Sequence, residues 1–153
     1  MPEPVSQLPA ALDALVAAVQ LVLPDPVQLL DGPPSTSTTP PDVVMIGFNG
    51  EPGTEAISVG RRRADRGGRS DRETYDITCL ASSWRGDNDQ RLVRDLAFGF
   101  VDVISAELRR DRTLGLDLIT NSYLSVAGVA PVMDSKGAMC TVRFIVHMDA
   151  YTL

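Results

Sequence analysis

The chain has one histidine, His147, which stands two residues before Asp149. On a strand both side chains would share a face, the arrangement of a catalytic base with a carboxylate to orient it. Such chemistry needs a nucleophile. No serine lies in a Gly-X-Ser-X-Gly elbow, and neither Cys79 nor Cys140 carries a recognisable local signature. Two cysteines and one histidine also fall short of the usual four-ligand zinc site, so both thiols read as small buried hydrophobes. Asp87 and Asp89 could hold a cation, but they precede a helical pattern, where capping and dipole stabilisation account for them. Gly47-Phe-Asn-Gly50 and Gly53 lack the Gly-Lys-Ser/Thr or Gly-X-Gly-X-X-Gly spacing that cradles a phosphate. Arg85-Gly86-Asp87 reads as a turn. These residues predict no enzyme, no metal and no cofactor.

Charge is more informative. Twenty Asp and Glu against fourteen Lys and Arg give a net −6, the wrong sign for a protein that wraps nucleic acid. The balance is uneven, because Arg61, Arg62, Arg63, Arg66, Arg69 and Arg72 face only Asp65 and Asp71 between residues 61 and 72. That window carries +4 and the remainder −10. It lacks interleaved aromatics on which bases could stack, so contact with an acidic partner surface is the favoured functional reading and a solvated spacer the alternative.

The elements that must position these groups follow from periodicity. With 153 residues, 44% hydrophobic and 22% charged, the chain suits one domain over 1–153, and no apolar run reaches the roughly 18 residues of a membrane span. The opening Met1-Pro-Glu-Pro4 has no basic n-region, so no secretion signal is expected. Leu8, Leu12, Leu15, Val19 and Val22 predict a helix over 7–23, capped by Ser6. Val27–Leu30 and Val43–Ile46 read as strands joined by a Pro/Ser/Thr linker at 32–41, and 49–71 as a long Gly/Arg-rich loop. A strand over 74–84 leads through a turn, with Asp87 or Asn88 as cap, into a helix over 89–110. Its apolar stripe is Leu92, Leu96, Phe100, Ile104 and Leu108, widened by Val93 and Ala97, which leaves Phe98 on the far side in need of a loop of its own chain or, preferably, a neighbouring subunit. Strands over 116–126 and 141–151 close the chain, joined by a loop from Gly128 to Gly137. The fold expected is α+β, a largely antiparallel or mixed sheet of four to five strands with two helices on one face.

In this order the elements resemble the tail terminator proteins of long-tailed phages that infect actinobacteria, also called tail completion or minor tail proteins. The likeness rests on an Ala/Leu/Val-rich helix and strand (Leu8–Leu30) and a strand ending Val43-Val-Met-Ile-Gly47. It continues through Tyr75-Asp-Ile-Thr-Cys79 into a Trp84-Arg-Gly-Asp87 turn and a long helix, then Asp111-Arg-Thr-Leu-Gly115 and a closing strand from Lys136-Gly-Ala138 to Tyr151. The arginine-rich stretch is not part of that pattern. The resemblance implies a structural virion protein, a homo-oligomeric ring of six subunits at the head-proximal end of the tail. Such a ring caps the tail tube protein, stops polymerisation and meets the head completion or neck protein. DNA would pass through its lumen without specific binding, no membrane would be involved, and assembly would take place in the host cytoplasm. Another head–tail connector or tail tube ring protein, and a nucleic-acid-binding module using Arg61–Arg72, are the competing expectations.

Overall fold

The computed structural model describes residues 2, 4–35, 40–63 and 71–152. Helix α1 (Leu8–Val22) is followed by strands β1 (Gln28–Asp31), β2 (Asp42–Ile46), β3 (Ile57–Arg62) and β4 (Asp71–Arg85), helix α2 (Gln90–Arg110), and strands β5 (Ile119–Asp134) and β6 (Gly137–Thr152). The sheet has six strands in the order β1-β2-β4-β6-β5, with β3 paired to β4 as well. Only β1 and β2 run parallel; the other pairings are antiparallel. Both helices pack on one face of this mixed sheet, an α+β fold with one strand more than expected.

The extra strand is β3. Between 49 and 71 the sequence predicts a structureless loop, but Ile57–Arg62 pairs with Arg72–Ile77 as a hairpin. β2 and β3 therefore lie end to end along one edge of β4, while β6 covers the whole other edge. Ser58, Gly60, Arg61 and Arg62 conceal this strand in the sequence, because it is exposed and lacks apolar alternation. The expected loop at 128–137 is likewise strand. Gly128 sits at a register shift, Pro131 is tolerated because β5 is an edge strand, and only Ser135 and Lys136 turn the chain. In that turn Asp134 Oδ1 accepts the backbone N–H of Lys136 (2.8 Å) and of Gly137 (3.2 Å). Gly137 has φ 149°, and a Cβ there would lie 2.0 Å from the Arg85 carbonyl oxygen, so only glycine fits.

The main core joins Leu15 and Val19 of α1, Ile77 and Cys79 of β4, Phe100 and Ile104 of α2, and Phe144 and Val146 of β6, with Leu96 packed at its border. The expected face of α2 is found at Val93, Ala97, Phe100, Ile104 and Leu108 and differs at Leu92, Leu96 and Val101. Its buried residues are Val93, Ala97, Phe100, Val101, Ile104 and Leu108, while Leu92 is exposed. Steps of four residues overshoot a turn of 3.6 by about 40° each, so a pure i+4 series winds off the core, whereas mixed steps of three and four stay on it. Phe98 is a second correction: it is half-buried and packs against the core of its own chain, on a helical layer that α1 and α2 form together.

Two polar ties fix the helices and strands. The buried Tyr75 hydroxyl accepts the Gln7 N–H (3.1 Å) and donates to Glu73 Oε1 (2.8 Å), pinning the start of α1 to the middle of β4. Ser6 Oγ accepts the Leu8 N–H at 3.1 Å, although Gln7 occupies the N-cap position. Asp42 receives both Arg85 nitrogens, each at 2.9 Å, and the Ser83 hydroxyl at 2.6 Å, which locks β2 to the end of β4. Asp89, not Asp87 or Asn88, caps α2 by accepting the Leu92 N–H at 3.0 Å.

Burial by itself would raise the Asp42 carboxyl, but the hydrogen bonds from Arg85 and Ser83 and the Arg85 charge outweigh it and hold the group below the usual carboxylate range. Its contribution is therefore complete above the unfolded value, about 3.9, and is lost as pH falls through the lower folded value. Asp42→Asn should cost about 1.5–3 kcal/mol at pH 7. In denaturant titrations that deficit should shrink below about pH 4, and an unchanged deficit at pH 2 would contradict the linkage. Phe100→Ala should cost about 3–5 kcal/mol, with α2 amides exchanging only on global unfolding.

Candidate functional site

Alternation along β4 and β6 sends odd residues of β4 and even residues of β6 to the helices, and the rest to the opposite, helix-free face. On that open face stand His147, Arg62 and Arg72, along with apolar residues that have no counterpart in a sequence motif.

His147 is the centre of a hydrogen-bonded row. Its Nδ1 lies 2.6 Å from Asp76 Oδ1, its Nε2 lies 2.9 Å from Ser125 Oγ, and its ring stacks on Tyr123 with centroids 4.8 Å apart. The carboxylate can only accept, so Nδ1 carries a proton, and in the neutral ring Nε2 accepts the Ser125 hydroxyl. Asp76 replaces the expected partner Asp149, because Asp76 and Tyr123 stand directly opposite His147 on the two flanking strands. No spacing in the sequence signals this; only the register brings the three strands together. A serine, an imidazole and a carboxylate in series form the nucleophile–base–orienter pattern of acyl transfer. Among the described residues the Ser125 hydroxyl makes its side-chain hydrogen bond to His147. The row works as a cross-strand tie between β4, β6 and β5.

The arginine window is split by the hairpin. Arg61 and Arg62 end β3, Arg72 lies near the start of β4, and Arg63 follows β3 in an exposed position, while Arg66 and Arg69 lie outside the described residues. Arg61 pairs with Asp71 at 3.0 Å. Arg62 and Arg72 face each other across the ladder, and a hollow of about 430 Å³ is lined by Gly60, Arg61, Arg62, Arg72, Thr74 and Asp149. The Arg72 guanidinium lies over the Tyr151 ring, 5.4 Å from its centroid. The sequence window has no aromatic, but the fold brings Tyr151 to it from β6.

Beyond these polar groups the open face is apolar. Val43, Met45, Phe48 and Leu80 form a second small cluster. They line a groove of about 520 Å³ together with Val129, Met139 and Arg143. Next to it Trp84, Met139 and Val132 stand side by side on three adjacent strands, while Val126, Val129 and Met133, also exposed, stand opposite the even residues Phe144, Val142 and Ala138 of β6 and so face the other side.

The remaining candidates have structural explanations. Cys79 and Cys140 are buried free thiols, and burial pushes the Cys79 thiol up to about 12, which removes its nucleophilic form. Asn49 organises the turn after β2, with Oδ1 accepting from the Glu51 N–H and Thr54 hydroxyl, both at 2.9 Å. Among the described residues no three His, Cys, Asp or Glu side chains gather as a metal site, and no helix is long and apolar enough to cross a membrane. No model of a known protein family matches the chain, and no curated protein matches it as a relative.

A fluorophosphonate probe should leave Ser125 unlabelled at neutral pH, as read by peptide mass spectrometry. Stoichiometric labelling abolished by His147→Gln would instead establish Ser125 as a nucleophile.

Proposed function

We propose that the protein is a structural subunit of a phage tail that closes into a homo-oligomeric ring of six, caps the tail tube, stops its polymerisation and offers a joint to the head or neck. The observation that carries this reading is β5, a sixteen-residue strand at the sheet edge whose far half exposes Val126, Val129, Val132 and Met133. A long apolar edge strand presents unpaired backbone donors and acceptors with hydrophobic side chains, a liability in a monomer and an asset in an assembly. The apolar groove on the open face is continuous with it through Val129. A ring needs two different patches on each subunit, and this chain has an apolar edge and a separate basic corner. The ordered motifs from Leu8 to Tyr151 support a terminator specifically; a neighbouring connector or tube ring protein would share the fold but differ in which ring it meets. In this reading the protein resides at the head-proximal end of the tail, and the acidic balance of the chain suits a lumen through which DNA slides.

A nucleic-acid-binding role is the second reading, favoured by Arg72 over Tyr151, a cation beside an aromatic ring on an open face. The net −6 weighs against it.

Native mass spectrometry of the purified protein should give a closed ring, alone or on addition of tail tubes, and electron microscopy should show capped tube ends. A monomer under both conditions would remove the ring reading. Duplex binding that weakens steeply between about 50 and 200 mM salt would support the second reading instead.

A further inference from the structure

The charge of this chain is segregated more sharply than its total suggests. Residues 1–60 contain no Lys, Arg or His, but seven Asp and Glu. Of these, Asp42 is taken by Arg85. Asp31 at the end of β1, and Glu51 and Glu55 in the turn between β2 and β3, are exposed and have no ion-pair partner among the described residues. They gather beside the start of β3, midway along β4, because Asp31 pairs in register with Ile46, and Ile46 and Ile57, which bracket that turn, pair with Cys79 and Ile77. The opposite end of β3 carries the reverse charge. There Arg62 stands directly across from Arg72, a like-charge cross-strand pair that destabilises an isolated hairpin. No ion-pair partner of either arginine lies among the described residues.

The hollow between them is shaped for an oxyanion. Gly60 contributes no side chain to its floor, and a Cβ there would lie 2.6 Å from Thr74 Oγ1. Tyr151 supports the Arg72 guanidinium from below, and Asp71 neutralises Arg61. Asp149 offsets part of the remaining charge at one wall. Two guanidinium forks and a hydroxyl around an open cavity match the planar, bidentate geometry of carboxylates.

We propose that the Gly60, Arg62, Arg72 and Thr74 cradle seats carboxylates from the Asp31, Glu51 and Glu55 corner of a second copy of this chain. This rests on the ring reading above. Because the two patches occupy opposite ends of β3, the contact is head-to-tail, the kind that closes into a ring when the rotation between subunits allows. A long polyanion fits less well, since the three carboxylates of that corner on the same subunit repel it.

Two variants with exchanged charges test this. One carries Arg62→Glu and Arg72→Glu; the other carries Asp31→Lys, Glu51→Lys and Glu55→Lys. Each alone should associate at least about tenfold more weakly than wild type at low salt, with an unchanged thermal melt, because like charges now meet. An equimolar mixture should recover rings of wild-type stoichiometry with the two variants alternating, as read by native mass spectrometry. Should the glutamates unfold the hairpin, Arg62→Gln with Arg72→Gln should weaken association and flatten its salt dependence. Either charge-exchanged variant assembling like wild type, or a mixture no better than its components, would overturn the cradle while leaving the ring reading intact. A wild-type protein that never forms a ring fails the earlier reading, and the cradle with it. Retention of duplex DNA by wild type and its loss in the arginine variant would make a polyanion the occupant and overturn the proposal.

Discussion

β4 is the strand on which every other part of the molecule leans. It pairs with β6 along one edge over its whole length and with β2 and β3 end to end along the other. Its odd residues, from Glu73 to Ser83, are buried under the helices, and its even residues line the open face. A strand paired on both edges cannot shift by one residue without exchanging the two faces, so its alternation holds six strands in register. The bulge in β5 and the hairpin of β3 sit at the margins of that constraint, where it is weakest.

Two polar networks supply direction to what alternation alone would leave ambiguous. Tyr75 lies in the middle of the core, yet its hydroxyl is satisfied by Gln7 and Glu73, so α1 can start in one place only. Asp42 and Arg85 form a two-pronged pair between β2 and the end of β4. Buried polar groups of this kind add little net stability when satisfied, but leaving one partner alone is costly, and that asymmetry excludes shifted pairings.

The open face combines several chemically different surfaces. A polar row at His147, a basic hollow at Arg62 and Arg72, an apolar groove at Phe48 and Leu80, and the row of Trp84, Met139 and Val132 lie on one side of a sheet whose other side carries both helices. The helix-covered side supplies the cohesion of the fold, and the open side carries its exposed polar and apolar groups. The serine–histidine–carboxylate geometry shows how strand register can bring together, from three strands, groups that no spacing in the sequence connects.

The periodicity of Leu8–Val22, of Val43–Ile46 and of Val142–Ala150 was enough to define those elements, since each buries one face or both, and burial leaves an apolar period in the residues. The class of fold followed from their order. Where an element is not buried on a fixed face, the period fails. β3 was concealed by exposed Ser58, Gly60 and Arg62, and the far half of β5 by Gly128 and Pro131, both tolerated only because that strand is an edge. Phe98 looked exposed because a helical wheel records one partner layer, whereas α1 and the sheet together cover a wider arc of α2. The partners of His147, the opposition of Arg62 to Arg72 and the seat of Arg72 on Tyr151 were beyond the reach of any spacing rule. Each depends on which residues of distant strands stand opposite one another, and that register is set by the whole sheet at once.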